Sequence, residues 1–182
     1  MDNRDWIAFA GGASVGLVAG HLLPPLLAQA AVLLGGNPDP FDLLADDHRH
    51  FLDLLRQMEG ARGSGLAFRT QLFLRLKRSL AAHSMAEEDV IYPLLAEEAG
   101  AHAAAERLYA EHGAIKTHLY ALERLLGDDV AWAERASALK RLVADHARRE
   151  EEVEFPRLRH RLDEDAFARL ARHVRREKAM VV

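Results

Sequence analysis

The sequence predicts an all-α protein: an antiparallel four-helix bundle with an N-terminal hydrophobic helical extension and a short C-terminal helix. Three observations predict it. Beyond Pro38 the apolar residues recur at alternating intervals of three and four, and no run alternates as a half-buried strand would. Glycines cut this pattern into segments of bundle length: Gly60, Gly63 and Gly65, then Gly100, then Gly127. Finally, His83-Ser-Met-Ala-Glu87-Glu88-Asp-Val-Ile-Tyr92-Pro93-Leu-Leu95 is echoed 63 residues later by His146-Ala-Arg-Arg-Glu150-Glu151-Glu-Val-Glu-Phe155-Pro156-Arg-Leu158. Both copies read His-x-x-x-Glu-Glu-x-x-x-aromatic-Pro-x-Leu.

The first bundle helix is expected from about Phe41 to Glu59, with an inward stripe of Leu44, His48, Phe51, Leu55 and Met58. The second runs from about Leu66 to Glu97, with Leu76, Leu80, His83, Glu87, Val90 and Leu94 inward. The third, about His102 to Leu126, turns Leu108, His112, Ile115, Leu119, Leu122 and Leu126 inward and stops at Gly127-Asp128-Asp129. The fourth runs from about Val130 to Arg159, with Leu139, Leu142, His146, Glu150 and Val153 inward. A fifth, short helix covers about Glu164 to Lys178. Pro93 and Pro156 are expected to kink or end their helices beyond the repeated segment, and the aromatics before them to be structural.

Every bundle stripe contains a histidine, and the second and fourth also contain a glutamate. Polar groups buried this way cost several kcal/mol each unless something compensates them. His and Glu four apart share a helix face, so two such helices face to face bring two imidazoles and two carboxylates together. The halves match further: His48 follows Asp47 and His112 follows Glu111, 64 residues on. Two hairpins related by a pseudo-twofold would gather His48, His83, Glu87, His112, His146 and Glu150 at mid-bundle, a ligand set for a transition metal. His50, His102, His118, His160 and His173 lie off these stripes and are read as surface residues.

Composition narrows the alternatives. The net charge of −4 and pI near 6.2 give no basic patch for nucleic acid. The absence of cysteine excludes disulfides, iron–sulfur clusters, thiolate zinc sites and a cysteine nucleophile. No Glu-x-x-His occurs, which sets aside the ferritin-like di-iron arrangement.

These residues resemble the hemerythrin-like family, also called the HHE cation-binding domain, over roughly Phe41 to Leu158. The resemblance implies a four-helix bundle with a non-haem di-iron centre. His48, His83, His112 and His146 would be terminal imidazole ligands, and Glu87 and Glu150 would bridge the irons. The chain departs from the oxygen-carrying members at Lys116, where those have a second histidine on the third helix. That leaves a position open, water-filled, or taken by a neighbouring carboxylate such as Glu88 or Glu151; Lys116 itself would pair with a bridging carboxylate or a bound anion. The function expected is binding of oxygen or a related ligand such as nitric oxide, for sensing, storage or iron handling. The alternatives are a di-iron redox enzyme, for example a peroxide reductase, and a structural bundle holding another metal.

The chain divides into three regions: 1–38, a hydrophobic segment; 39–160, the bundle; and 161–182, the C-terminal helix and tail. No Asp, Glu, Lys or Arg occurs from Trp6 to Pro38. That is long enough to cross a bilayer, which takes about 20 apolar residues. Gly12, Gly16 and Gly20 form a face on which membrane helices approach closely, giving a route to a homo-oligomer, although His21 and Pro24-Pro25 interrupt the stretch. The expectation is a membrane anchor within residues 6–34 with a cytoplasmic bundle; the alternatives are a helical hairpin packed on the bundle or on a partner, and a soluble cytoplasmic protein. Gly12-Ala-Ser14-Val-Gly16 matches a nucleophile-elbow pattern, but no strand precedes it and no hydrolase is read from it.

Overall fold

The computed structural model describes residues 38–180. The chain divides into two units, Met1–Pro38 and Asp39–Val182; the expectations for the hydrophobic segment, its membrane anchor, its Gly12/Gly16/Gly20 face and its Gly-x-Ser-x-Gly pattern lie outside the described residues. Among the described residues, no helix is long and apolar enough to cross a membrane.

The described residues are helical throughout, without strands. The helices are α1 (Pro40–Glu59), α2 (Leu66–Ala86), α3 (Tyr92–Glu98), α4 (His102–Arg124), α5 (Asp129–Arg149), α6 (Phe155–Arg159) and α7 (Glu164–Ala179). α2 passes into α3 through a π-helical turn, Glu87–Ile91, and α5 passes into α6 through another, Glu150–Glu154. Four rods result: α1, α2–α3, α4 and α5–α6. Short loops make successive rods antiparallel neighbours. α1 packs on both α2 and α5, and α4 on both α3 and α5. α7 lies across α2 and α1, packed on the bundle rather than trailing from it.

Local chemistry sets the ends. Asp39 caps α1 by accepting from Phe41 N–H at 2.9 Å, and Pro40 takes the first turn, where its missing N–H costs nothing. Asp128 and Asp163 cap α5 and α7 by accepting from Ala131 and Ala166 N–H at 3.0 and 2.7 Å. Gly63 turns the first loop at φ +74°, a region L side chains rarely adopt. Its N–H donates to Asp129 at 2.7 Å, tying that loop to the start of α5.

The prolines neither end nor sharply break their helices. Pro93 has no N–H to offer, and the chain compensates by widening ahead of it: Tyr92 N–H bonds to the Glu87 carbonyl, five residues back. Phe155 N–H bonds to the Glu150 carbonyl in the same way ahead of Pro156. Each π turn holds one residue more than an α turn, so the helix beyond it is rotated by about 100° against an uninterrupted one. The expected stripes fail there. Leu94 is only half-buried and Leu95 is buried in its place; Val153 is exposed, and Glu154 and Phe155 face inward.

The apolar core forms two layers. One gathers Phe51, Leu55, Phe73, Leu76, Trp132 and Leu139. The other gathers Phe41, Leu44, Ile91, Tyr92, Leu108 and Phe155, with Leu170 and Val174 of α7. Between them lies a layer of buried histidine and glutamate.

Candidate metal centre

All six residues expected from the sequence are in that layer: His48 from α1, His83 from α2, Glu87 from the first π turn, His112 from α4, His146 from α5 and Glu150 from the second π turn. Each is at most 2 % exposed. Donor atoms of His48, His83, Glu87, His146 and Glu150 all lie within 4.8 Å of one another. His112 completes the set, with Nε2 3.3 Å from Glu87 Oε2 and 3.2 Å from His146 Nε2.

The imidazoles form two pairs. His48 and His83 face each other Nε2 to Nε2 at 3.1 Å, and His112 and His146 do so at 3.2 Å. Each carboxylate reaches one imidazole of each pair. Glu87 Oε2 is 2.9 Å from His83 Nε2 and 3.3 Å from His112 Nε2. Glu150 Oε2 is 3.1 Å from His146 Nε2 and 3.2 Å from His48 Nε2.

The opposite edge of every ring is held by a carboxylate. His83 Nδ1 donates to Asp47 at 3.1 Å and His146 Nδ1 to Glu111 at 2.9 Å. His112 Nδ1 donates to Glu88 and His48 Nδ1 to Glu151, both at 2.8 Å. The repeat acquires a physical meaning here. The acid before each stripe histidine of α1 and α4 serves the histidine of the next rod. The second Glu of each repeat serves a histidine on the neighbouring rod at its other side: Glu88 that of α4, and Glu151 that of α1. Assigning the ring proton to Nδ1 on the strength of these bonds leaves four Nε2 lone pairs converging on one another.

Such convergence repels unless positive charge sits inside it. Glu87 Oε1 is buried without a hydrogen-bond partner, and Glu150 Oε2 makes no well-directed hydrogen bond despite two imidazole nitrogens close by. Nitrogen and oxygen donors in this arrangement fit a bound cation. Protons are the other source of charge. Burial disfavours the imidazolium at His48, but the Glu150 carboxylate 3.2 Å away, the hydrogen bond to Glu151 and the charge of Glu87 outweigh it and raise the pKa to about 9. At His146 the same contest, with the Glu150 charge and the Glu111 hydrogen bond on the winning side, raises it to about 10. Burial pushes the Glu87 carboxyl up, yet the His83 charge and the His112 and His83 hydrogen bonds hold it well below the usual carboxylate range.

Lys116, Glu88 and Glu151 do not stand where the sequence suggests. Lys116 points outward, 57 % exposed, and its Nζ donates to both oxygens of Glu88 at 2.6 and 2.9 Å. It meets neither Glu87 nor Glu150. Glu88 and Glu151 are engaged with the outer edges of His112 and His48, so neither occupies an inner position. Of the other histidines, His50, His102, His160 and His173 are exposed as expected, while His118 is half-buried.

Tyr92, expected chiefly to be structural, is part of the cluster. Its hydroxyl donates to Glu150 Oε1 at 2.8 Å and lies 2.9 Å from His112 Nε2 and 3.3 Å from Glu87 Oε2. Burial and the charges of Glu87 and Glu150 hold it well above the ordinary tyrosine pKa. A regular helix would turn a residue five beyond Glu87 away from the site; the π turn returns it. The one signal in the sequence is the mismatch at the aromatic position of the repeat, Tyr in one copy and Phe in the other.

Residues 39–158 match the family described as the hemerythrin HHE cation binding domain. The match spans most of the chain, which therefore belongs to that family and carries a cation-binding domain. Searches among curated proteins and among solved structures found no match.

Proposed function

We propose that this bundle holds a non-haem di-iron centre that binds oxygen or a related diatomic ligand such as nitric oxide. The observation that carries the reading is the placement of Glu87 and Glu150, each between an imidazole of the His48/His83 pair and one of the His112/His146 pair. Glu87 and Glu150 would be shared between two cations, one held by His48 and His83 and the other by His112 and His146. Iron there would supply a redox change and a coordination position for the ligand. The chain supplies the rest. Asp47, Glu88, Glu111 and Glu151 fix the ring orientations and keep the Nδ1 proton on each imidazole. The apolar layers above and below exclude water and keep the local dielectric low. Tyr92 places a hydroxyl against Glu150 and His112 on one side only.

The test uses the full-length protein loaded with ferrous iron without oxygen, then exposed separately to oxygen and to nitric oxide. The reading expects a new visible absorption with each gas that reverses when the gas is removed. Iron held tightly with a spectrum indifferent to both gases would refute the ligand-binding function.

A further inference from the structure

The two halves of the cluster are not equivalent, and the difference is one oxygen atom. The repeat places an aromatic ring five residues beyond each inner glutamate, and each π turn swings that ring back toward the site. Beside His48 the ring is Phe155, which stacks on the imidazole at 6.4 Å with the planes 7° apart and offers no donor. Beside His112 it is Tyr92, wholly buried, with its hydroxyl among the inner donor atoms.

The spacing of that hydroxyl from its neighbours is informative. Two ligand atoms each about 2.1 Å from one metal, at right angles, lie about 3.0 Å apart. Tyr92 Oη lies 2.9 Å from His112 Nε2, 2.8 Å from Glu150 Oε1 and 3.3 Å from Glu87 Oε2. His112 Nε2 in turn lies 3.2 Å from His146 Nε2. In the metal-free protein these separations are hydrogen bonds, and the same separations suit atoms that share one coordination sphere, so the hydroxyl needs no relocation to become a ligand. The ring is held in place by Tyr109, which meets it edge-on at 5.0 Å and donates its own hydroxyl to the Glu88 carbonyl at 2.7 Å. Nothing else on α4 competes, since Lys116, one turn beyond His112, is engaged outward by Glu88.

We propose that the Tyr92 oxygen is a metal ligand on the His112/His146 side, making that side a two-imidazole, one-phenolate position and leaving the His48/His83 side without a counterpart. This rests on the metal-site reading above. When the bound iron is oxidised, one electron per iron passes to the added oxidant; the Tyr92 Oη–H bond would then break, an Oη–iron bond form, and the proton pass to the buffer. The His48/His83 side, lined by the Phe155 ring, then has one fewer protein donor.

The experiment is visible absorption and resonance Raman spectroscopy of the full-length protein, loaded with ferrous iron without oxygen and oxidised with ferricyanide. The wild type is expected to show a phenolate-to-ferric charge-transfer band with phenolate ring modes enhanced under it. Tyr92→Phe loses band and modes while keeping iron. The chain has three tyrosines, so modes that survive in both Tyr109→Phe and Tyr120→Phe belong to Tyr92 even if Tyr92→Phe folds poorly. Iron-loaded wild type without phenolate modes, or Tyr92→Phe retaining them, overturns the assignment and leaves the metal site standing. A wild type that takes up no iron overturns both.

Discussion

Metal should enter this cluster only by driving protons out of it, and the cost can be worked from two residues. His48 and His146 have pKa values of about 9 and about 10, so at pH 7 both imidazoles carry a proton that a cation must displace. A tenfold change in proton occupancy corresponds to about 1.4 kcal/mol, giving about 3 kcal/mol for His48 and about 4 kcal/mol for His146 at neutral pH. Both rises draw on the same Glu150 and Glu87 carboxylates, so the two costs are shared rather than additive, and the larger of them already weakens metal binding by about three orders of magnitude at pH 7. The sign follows from the raised pKa: low pH favours the proton, so affinity climbs as pH rises. While both groups stay protonated, the overall constant gains about 100-fold per pH unit. His83, whose pKa is also raised because the Glu87 charge and the Asp47 hydrogen bond outweigh burial, steepens the slope. Zinc suits the assay because it has no redox chemistry. Chelator competition at pH 7 and pH 8 measures the slope, and a pH-stat measures the protons released at pH 7. Equal affinity at the two pH values, after correction for the chelator, together with no proton release would refute the reasoning.

Stability of the metal-free protein should depend on pH through the same groups. The raised pKa values of His48 and His146 give stabilisation that is complete below about pH 6.5 and disappears as pH rises through 9 to 10. Glu87, with its lowered pKa, gives stabilisation present above about pH 4.5 and lost on further acidification. Thermal melts of the metal-free protein should therefore show a falling Tm from pH 7 to pH 10; a flat profile contradicts the assignment. Glu111→Ala removes the partner of His146 Nδ1 and should weaken metal binding by about 10–100-fold in chelator competition, with the bundle intact by circular dichroism. Lys116→Ala breaks an exposed ion pair worth about 1 kcal/mol or less and should leave metal content unchanged by elemental analysis. Phe51→Ala empties a fully packed position beside the cluster and should cost about 3–5 kcal/mol in denaturant unfolding.

The bundle is legible in the sequence because its signal is periodic: stripes such as Leu44, His48, Phe51, Leu55 and Met58 can be read one helix at a time. The six inner residues are legible for the same reason, reinforced by the internal repeat. Periodicity misleads where a local backbone event changes the period. Pro93 and Pro156 announce a disturbance, but not that the helix widens instead of ending. The resulting rotation moves Leu94 and Val153 off the core and brings Tyr92 into the site. The outer carboxylates are harder for another reason. Asp47 and Glu111 stand out as neighbours of histidines, yet each serves a histidine 36 or 35 residues away, a pairing that only the packing of rods reveals. Lys116 sits at a ligand register one turn beyond His112. Its direction is fixed by Glu88, which no spacing rule connects to it.

The most direct test of the central claim is metal stoichiometry in the full-length protein and in Glu150→Ala, both loaded with ferrous iron without oxygen and freed of excess. The wild type should retain about two irons per chain. Glu150→Ala, lacking the carboxylate that reaches His146 at 3.1 Å and His48 at 3.2 Å, should lose tight binding while remaining helical. Equal iron in the two proteins, or no iron in the wild type, would contradict the account.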